Sequence, residues 1–467
     1  MGQWVTFPFA GELNKNVGKI SLTSSAAKME NCYVDEMRSL VRFPRLTTKA
    51  TLPDPSQPVY LKEYRDDLYA ICGGRTYRVN DDFTFEDVTG ETISGGRRVS
   101  FAETEDDLVM AAGRKLVRLR GEQTELLSEA APESTHVGWI ASYLVAIEPF
   151  SGRFRYSSAD SFYVDWNDLN VISAEGRPDN LNSMIVSDYG QLMLGGDETI
   201  EQFDTSPSGD LPLYRRWVIP HGVYAPDTLI NANNRVWCVN QLKEFVGVST
   251  QTGSVYSGKI QKVLEAIDSW EAAFAFELPI DGQRFIVLQM PYATNDYGTK
   301  GVTLIYDYNN RRWGELFGFS LDVKPNLPNR WDGWSYAEVN GRKLIGGTGK
   351  IYQLGGDSGD VPQIMRWRTG HLRASGRNFS ITKLQMTVQR GVGSSTESPI
   401  ISLKVNKDNR GFGRSVRKTL GKSGQSHALL DFGNLGTARG FQIEVEVADN
   451  ASVNVADVQA YIEPMDE

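Results

Sequence analysis

The four histidines of the chain, His136, His221, His371 and His427, are the first residues to weigh for chemistry. None stands at metal-ligand spacing from a second His or Cys, and HExxH is absent. So are the GxSxG nucleophile elbow, the P-loop and GxGxxG. GTGKIYQ (347–353) pairs Gly with Lys but lacks the Ser or Thr that must follow in a phosphate loop. Ser426 and His427 are neighbours, and a strand sends neighbours to opposite faces, which argues against a catalytic pair. Asp165, Asp168 and Glu175 supply carboxylates in YVDWNDLNVISAEG (163–176), but the EF-hand pattern is not met, so this reads as a solvated loop. Cys32, Cys72 and Cys238 are odd in number and widely spaced. They read as buried small apolar residues, not as a disulfide framework or a zinc site. The sequence therefore predicts no metal and no cofactor. A carboxylate pair drawn from distant segments, as glycoside hydrolysis uses, stays open.

Charge is segregated. Residues 363–424 hold 13 Lys and Arg against Glu397 and Asp408, and residues 425–467 hold one Arg against eight acids. The net charge of −9 then leaves −13 for residues 1–362. The densest basic run is KVNKDNRGFGRSVRKTLGKSG (404–424), with Lys404, Lys407, Arg410, Arg414, Arg417, Lys418 and Lys422. It reads as a long hairpin or exposed loop. Three roles fit it: a solvated loop, a contact with an acidic protein surface, or a contact with phosphate. Phe412 is the only aromatic residue nearby for stacking on bases.

The elements that must position such groups are repeats. Seven stretches share two polar residues, an apolar run, a small-residue turn and a second strand-like run. Their apolar anchors are Leu68, Leu108, Leu144, Leu192, Val236, Phe285 and Leu344. A lone hairpin of this kind cannot bury its apolar face, and units of roughly 40–50 residues signal propeller blades. Leu108, Leu192, Val236 and Leu344 are the predicted propeller core. The expected fold is all-β: an irregular propeller of six or seven blades over 59–362, an N-terminal extension over 1–58 ending in LPDPSQP (52–58), and a C-terminal antiparallel sandwich or barrel over 363–467. That last part shows five alternating runs, at 381–389, 400–406, 427–433, 441–447 and 454–463. A helix is expected within KIQKVLEAIDSWEAAFAF (259–276), on Ile260, Val263, Leu264 and Ile267.

Several segments carry a family resemblance. They are ENCYVDEM with SLVRFPRL (30–46), AICGGRTYRV (70–79), QLMLGGDETIEQFDTS (191–206), RRWGEL (311–316) and WDGWSYAEVNGRKLIGGTGKIYQLGGD (331–357). In order and spacing they resemble the tail hub, or nozzle, of short-tailed bacteriophages, the packaged-DNA stabilisation protein. Thr199, Ile200, Glu201 and Phe203 keep that family's most specific pattern, whereas Arg45 stands where a Gly is usual. The resemblance implies a structural role without catalysis. Such proteins form homohexameric hubs under the portal and its adaptor ring. They extend the channel, hold genomic double-stranded DNA inside and pass it out at infection. Tail fibres, a tailspike or a plug are possible further partners. A predominantly acidic propeller would let DNA slide, where a basic lining would brake it.

Two alternatives remain at this point: a propeller-fold carbohydrate-active or oxidative enzyme, and a cellular propeller scaffold. The SxDxGxTW box of sialidases is absent. No run approaches 18 consecutive apolar residues, so no membrane-spanning segment is expected. The N-terminus lacks a secretory pattern, which fits assembly in the host cytoplasm and residence in the virion tail.

Overall fold

All seven apolar anchors fall on the second of four successive antiparallel strands, and all are between 0% and 4% exposed. The computed structural model describes residues 2–6, 13–15, 28–148, 150–174, 179–206, 211–249, 252–319, 327–355, 359–373, 377–390, 398–421 and 427–465. Within these, seven blades follow one another. Blade 1 occupies residues 59–87, blade 2 100–126, blade 3 137–173, blade 4 181–219, blade 5 230–255 and blade 6 274–315. Blade 7 takes three strands from residues 335–354 and its fourth from Leu46–Thr51. The count left open between six and seven is thus seven.

The polar pairs that opened each repeat are tight turns between the first and second strands. Positive φ at Asn233 and Asn234, at Asp281 and Gly282, and at Asn340 and Gly341 places them in the left-handed region. Asn and Gly reach that region at least cost, and its twist matches the paired strands. The second strands behind these turns, such as Leu108–Ala111 and Leu192–Gly196, are buried along their whole length. Neighbouring blades cover both of their faces, which is why they read as continuous apolar runs. Leu108 packs with Tyr69 and Ile71 of blade 1, Leu192 with Phe154 of blade 3, Val236 with Met193 and Ile219 of blade 4, and Leu344 with Val59 and Ala70 of blade 1.

The N-terminal 58 residues do not form a body of their own among the described residues. Leu46–Thr51 closes the propeller by pairing Leu46 with Leu354 and Thr51 with Lys350. The Pro-rich stretch 52–58 packs on the last hairpin of blade 7. Gly349 there has φ +61°, and a Cβ would lie 2.2 Å from the Pro55 Cα, so only glycine fits. The shorter strands Gln3–Thr6, Lys28–Glu30, Cys32–Val34 and Leu40–Arg42 all join sheets that contain C-terminal strands.

The C-terminal part is a sandwich. One sheet runs Cys32–Val34, Leu40–Arg42, Val453–Pro464, Phe379–Arg390, His427–Gly433. The other runs Met365–Arg368, Gly440–Val447, Ile400–Lys407, Val416–Thr419. Ile381, Leu384 and Met386 of the first share one core with Leu403, Phe441 and Ile443 of the second, and the Phe379 and Phe441 rings meet edge-on at 5.1 Å. All five predicted alternating runs lie on these strands. The second sheet does not stop at the sandwich. Lys28–Glu30 pairs antiparallel with Met365–Arg368 on one side and parallel with Arg312–Glu315 of blade 6 on the other, so ten strands form one sheet.

The expected helix over 259–276 is shorter than its periodicity. It spans Gln261–Ala266, and Phe274–Ile280 is instead the first strand of blade 6. Ile260, Leu264 and Ile267 are buried, as the helical spacing implied. Beyond them, Phe274 and Phe276 follow a period of two, and their burial inside blade 6 decides the outcome.

Candidate functional site

The first strand of each blade faces the propeller axis. Leu61, Phe101, Trp139, Ile185, Ile230, Phe276 and Tyr336, one from each blade, line an axial cavity of about 560 Å³. That is the size of a small-molecule pocket. A pocket of this size takes a small molecule and not a duplex, whose major groove alone admits an α-helix.

Three polar side chains gather at one mouth, each just ahead of a first strand. Arg98, from the loop before blade 2, donates through Nη1 to the Trp334 carbonyl of blade 7 at 2.6 Å. Its guanidinium also lies 4.5 Å from the Phe274 ring centre and 5.3 Å from that of Tyr60. One side chain thereby ties blades 1, 2, 6 and 7 across the axis, with desolvated cation–π contacts. His136 Nε2 and Asp227 Oδ1 stand 3.8 Å apart. Burial pushes Asp227 up to about 6 against the pull of Arg98 and Arg97. Burial, with Arg97 adding to it, pushes His136 down to about 4. His136 is therefore neutral at pH 7, and its ring is held by packing and by Thr135 Oγ1, 2.9 Å from Nδ1.

A second polar cluster lies where propeller meets sandwich. Glu30 is 3% exposed. Its carboxylate accepts from Lys28 Nζ at 2.8 Å, from Tyr297 Oη at 2.7 Å and from Arg366 Nη1 at 2.8 Å. Arg366 also donates through Nη2 to Glu446 at 3.0 Å. Glu315, alongside, pairs with Lys15, which reaches Asp296 at 2.9 Å. Burial opposes the charge on Lys15, but Glu315 and Asp296 more than offset this and hold its ammonium above the usual range. Arg42 adds a clamp from the same N-terminal segment. Its guanidinium is buried and donates to the carbonyls of Gln363, Asp449 and Ala451. Phe43, next to it, enters an aromatic cluster with Tyr33, Phe285 and Trp331. Arg45, in the position of the usual Gly, reaches the Ala448 and Asp449 carbonyls at 3.4 Å.

The basic run is described as far as residue 421 and lies on a hairpin, Ile400–Lys407 with Val416–Thr419, whose second strand is, among the described residues, the free edge of the ten-stranded sheet. The structure divides the run. Lys404 lies 3.6 Å from Glu444 and 3.7 Å from Glu446, so its charge is satisfied inside the chain. Lys407 is half-buried beside Gly436. Arg410, Arg414, Arg417 and Lys418 are exposed, with no carboxylate partner among the described residues. Lys422 lies outside the described residues, as do Glu175 and Ser426. The Arg368 guanidinium lies 4.6 Å from the Phe412 ring centre and covers one of its faces.

The pattern Thr199, Ile200, Glu201, Phe203 proves to be packing. Thr199 bonds Asp179, Ile200 and Phe203 are buried, Phe203 meets Phe154 edge-on at 5.1 Å, and Arg215 lies 3.3 Å from Glu201. Asp107, the second acid of a polar pair, is fully buried. It pairs with Arg118 and Arg120 and accepts from Tyr163 of blade 3. Asp168 pairs with Arg155 in its own blade. The three thiols are buried, and burial pushes Cys72 up to about 11 and Cys238 up to about 12, far from thiolate reactivity. Among the described residues, no group of three or more His, Cys, Asp or Glu is placed to hold a metal ion, and no helix is long and apolar enough to cross a membrane.

Against known proteins, the family model described as Bacteriophage P22 Gp10, beta-propeller, matches residues 27–350. No curated protein matches the chain. Similar solved structures include a catalytically inactive virginiamycin B lyase from Staphylococcus aureus with quinupristin. It is 12% identical with a TM-score of 0.41, over 66% of this chain and 98% of that one. An exo-beta-1,3-galactanase from Phanerochaete chrysosporium with galactose is 10% identical with a TM-score of 0.25, over 89% of this chain and 100% of that one. Likenesses this remote carry no functional argument.

Proposed function

The chain belongs to the bacteriophage P22 Gp10 beta-propeller family, and on that premise we propose that it is one subunit of a homohexameric hub beneath the portal and adaptor ring of a short-tailed phage. It is a phage structural protein that retains packaged DNA. In the proposed hub, six copies surround a common lumen that extends the DNA channel and conducts the genome during ejection. Assembly takes place in the host cytoplasm, and the mature location is the virion tail.

The observation that carries this reading, beyond family membership, is the closed axis. A cavity of about 560 Å³ crossed by Arg98 cannot pass a duplex. DNA must therefore run between subunits, and a lumen between subunits requires a closed cyclic ring. The propeller suits a wall. It is rigid, its interior is packed blade against blade, and residues 1–362 carry a net −13, which repels phosphate. No nucleophile is needed, and Arg98 at the mouth of the cavity is engaged in tying blades together.

Of the basic hairpin, the exposed Arg410, Arg414, Arg417 and Lys418 serve protein contact. Such opposite fields guide encounter and orientation more than they add affinity. Particles produced without the chain test the role. The reading expects heads that package DNA and then lose it. Particles that keep their DNA and eject it normally would refute it.

A further inference from the structure

Exposed large apolar side chains are not spread round the propeller. Among the described residues of the propeller they number twelve, of which eight lie in blades 3 and 4, Phe162, Leu169, Tyr189, Tyr214 and Trp217 among them, and four between Tyr224 and Tyr292. None lies in blades 1, 2 or 7. Leu169 is 84% exposed on the outermost strand of blade 3, and the outermost strand of blade 4, Leu213–Ile219, is exposed at five consecutive positions. This arc is also the acidic part of the disc. Residues 158–219 hold eleven Asp and Glu against Arg177, Arg215 and Arg216, the last two exposed on the outer strand of blade 4 and paired with Glu201 and Asp204. Asp160, Asp165 and Asp188 are exposed there without a basic partner among the described residues.

The complementary surface lies at the far end of the ten-stranded sheet. Val416–Thr419 ends one sheet of the sandwich, His427–Gly433 ends the other, and the two edges lie side by side. Val416 and Leu429 are exposed apolar residues on these edges, next to Arg414, Arg417 and Lys418. A free edge with unpaired backbone groups is a template for association unless something covers it.

We propose that the free edge of the sandwich docks on the blade 3 and blade 4 rim of a second copy of this chain. Resting on the ring reading above, this assigns its head-to-tail contact. The two patches are different surfaces of one chain, which a heterologous ring requires. One is apolar with bases and the other apolar with acids. The sandwich is joined at blade 6, and its free edge is the end of that sheet remote from the blade, where a neighbour can reach it.

Charge exchange tests it. Arg414→Glu, Arg417→Glu and Lys418→Glu form one triple variant, and Asp160→Lys, Asp165→Lys and Asp188→Lys form the other. Each is supplied from a plasmid to a phage lacking the gene, and copies of the chain per purified particle are counted. These are exposed positions, and an unchanged unfolding midpoint of each purified variant verifies the fold. Each triple should lower the copy number about tenfold, and a chain carrying both should recover to within about threefold of the parent, since like charges facing each other are repulsive and swapped pairs are not. If only the basic-edge triple fails and the combination does not recover, the edge meets a different protein and this contact is wrong, while the ring stands. If neither triple changes the copy number, the contact is wrong as well. If the parent itself is not present in a closed multiple of subunits, the ring reading fails and takes this contact with it.

Discussion

Arg366 donates through Nη1 to Glu30 Oε2 at 2.8 Å, binding the first strand of the sandwich to a short strand from the N-terminal segment. Glu30 pairs in turn with Glu315, the last residue of blade 6 in that sheet. Through these residues the propeller and the sandwich share one hydrogen-bonded sheet instead of a linker. A hub that holds DNA back must bear load between its parts, and a continuous sheet does this better than a flexible joint.

Breaking that pair should be costly. Arg366→Ala takes one cation from the buried Glu30, which keeps Lys28, and from the half-buried Glu446, which keeps Lys404 nearby. Loss of such charged hydrogen bonds costs about 1.5–3 kcal/mol. Urea unfolding should show a loss of that size. A loss below about 1 kcal/mol, as for an exposed pair, would mean the junction is held by packing alone.

Closure of the ring of blades depends on Leu46–Thr51. Ala50 is buried against Ile351 in the shared core of blades 7 and 1. Ala50→Asp places a carboxylate there and should detach the closing strand, at a cost of about 2–5 kcal/mol, as buried unpaired polar groups do. Protease digestion should then cut first within 46–58. Equal protease resistance in variant and parent would show that the strand is dispensable.

The blade anchors can be probed one at a time. Leu192→Ala removes a fully buried side chain between blades 3 and 4 and should cost about 2–5 kcal/mol through lost transfer energy and the cavity left behind. The same change at Leu429, which is 63% exposed, should cost under about 0.5 kcal/mol. Equal effects at the two sites in thermal unfolding would contradict the assigned register.

How much of this was legible in the sequence follows from what each residue answers to. Leu68, Leu108, Leu144, Leu192, Val236, Phe285 and Leu344 sit on strands buried on both faces, so composition alone marked them. The closing strand LTTKAT did not stand out. It is an outer strand, four of its six residues are Thr or Lys, and a bulge at Lys49 breaks its alternation. Asp107 read as half of a polar turn, because its partners Arg118, Arg120 and Tyr163 are brought to it only by folding. The same holds for Glu30, Glu315 and Arg366, which are far apart in the chain and neighbours in one sheet. Arg98 gave no local signal either, since its partners Trp334 and Phe274 belong to distant blades.

The channel mouth should make stability respond to pH in a predictable way. Asp227 has a folded value of about 6 against an ordinary 3.8, so its contribution is present below 3.8 and is lost as pH rises to about 6. His136 has a folded value of about 4 against 6.5, so its contribution is present above 6.5 and is lost as pH falls to about 4. Between these limits the two largely cancel. Asp227→Asn removes one side, and the variant should lose about 2–3 kcal/mol between pH 6.5 and 4 relative to the parent, two pKa units being worth roughly that much. Urea unfolding at four pH values reads this directly, and parallel profiles for variant and parent would contradict it.

The central claim is that copies of this chain enclose the DNA channel between them. Electron-microscopy class averages of tails isolated from particles test it most directly. The account predicts a ring of six propellers, each closed at its own axis, around one lumen wide enough for a duplex. A single copy per tail, or a tail in which DNA threads the axis of one propeller, would contradict it.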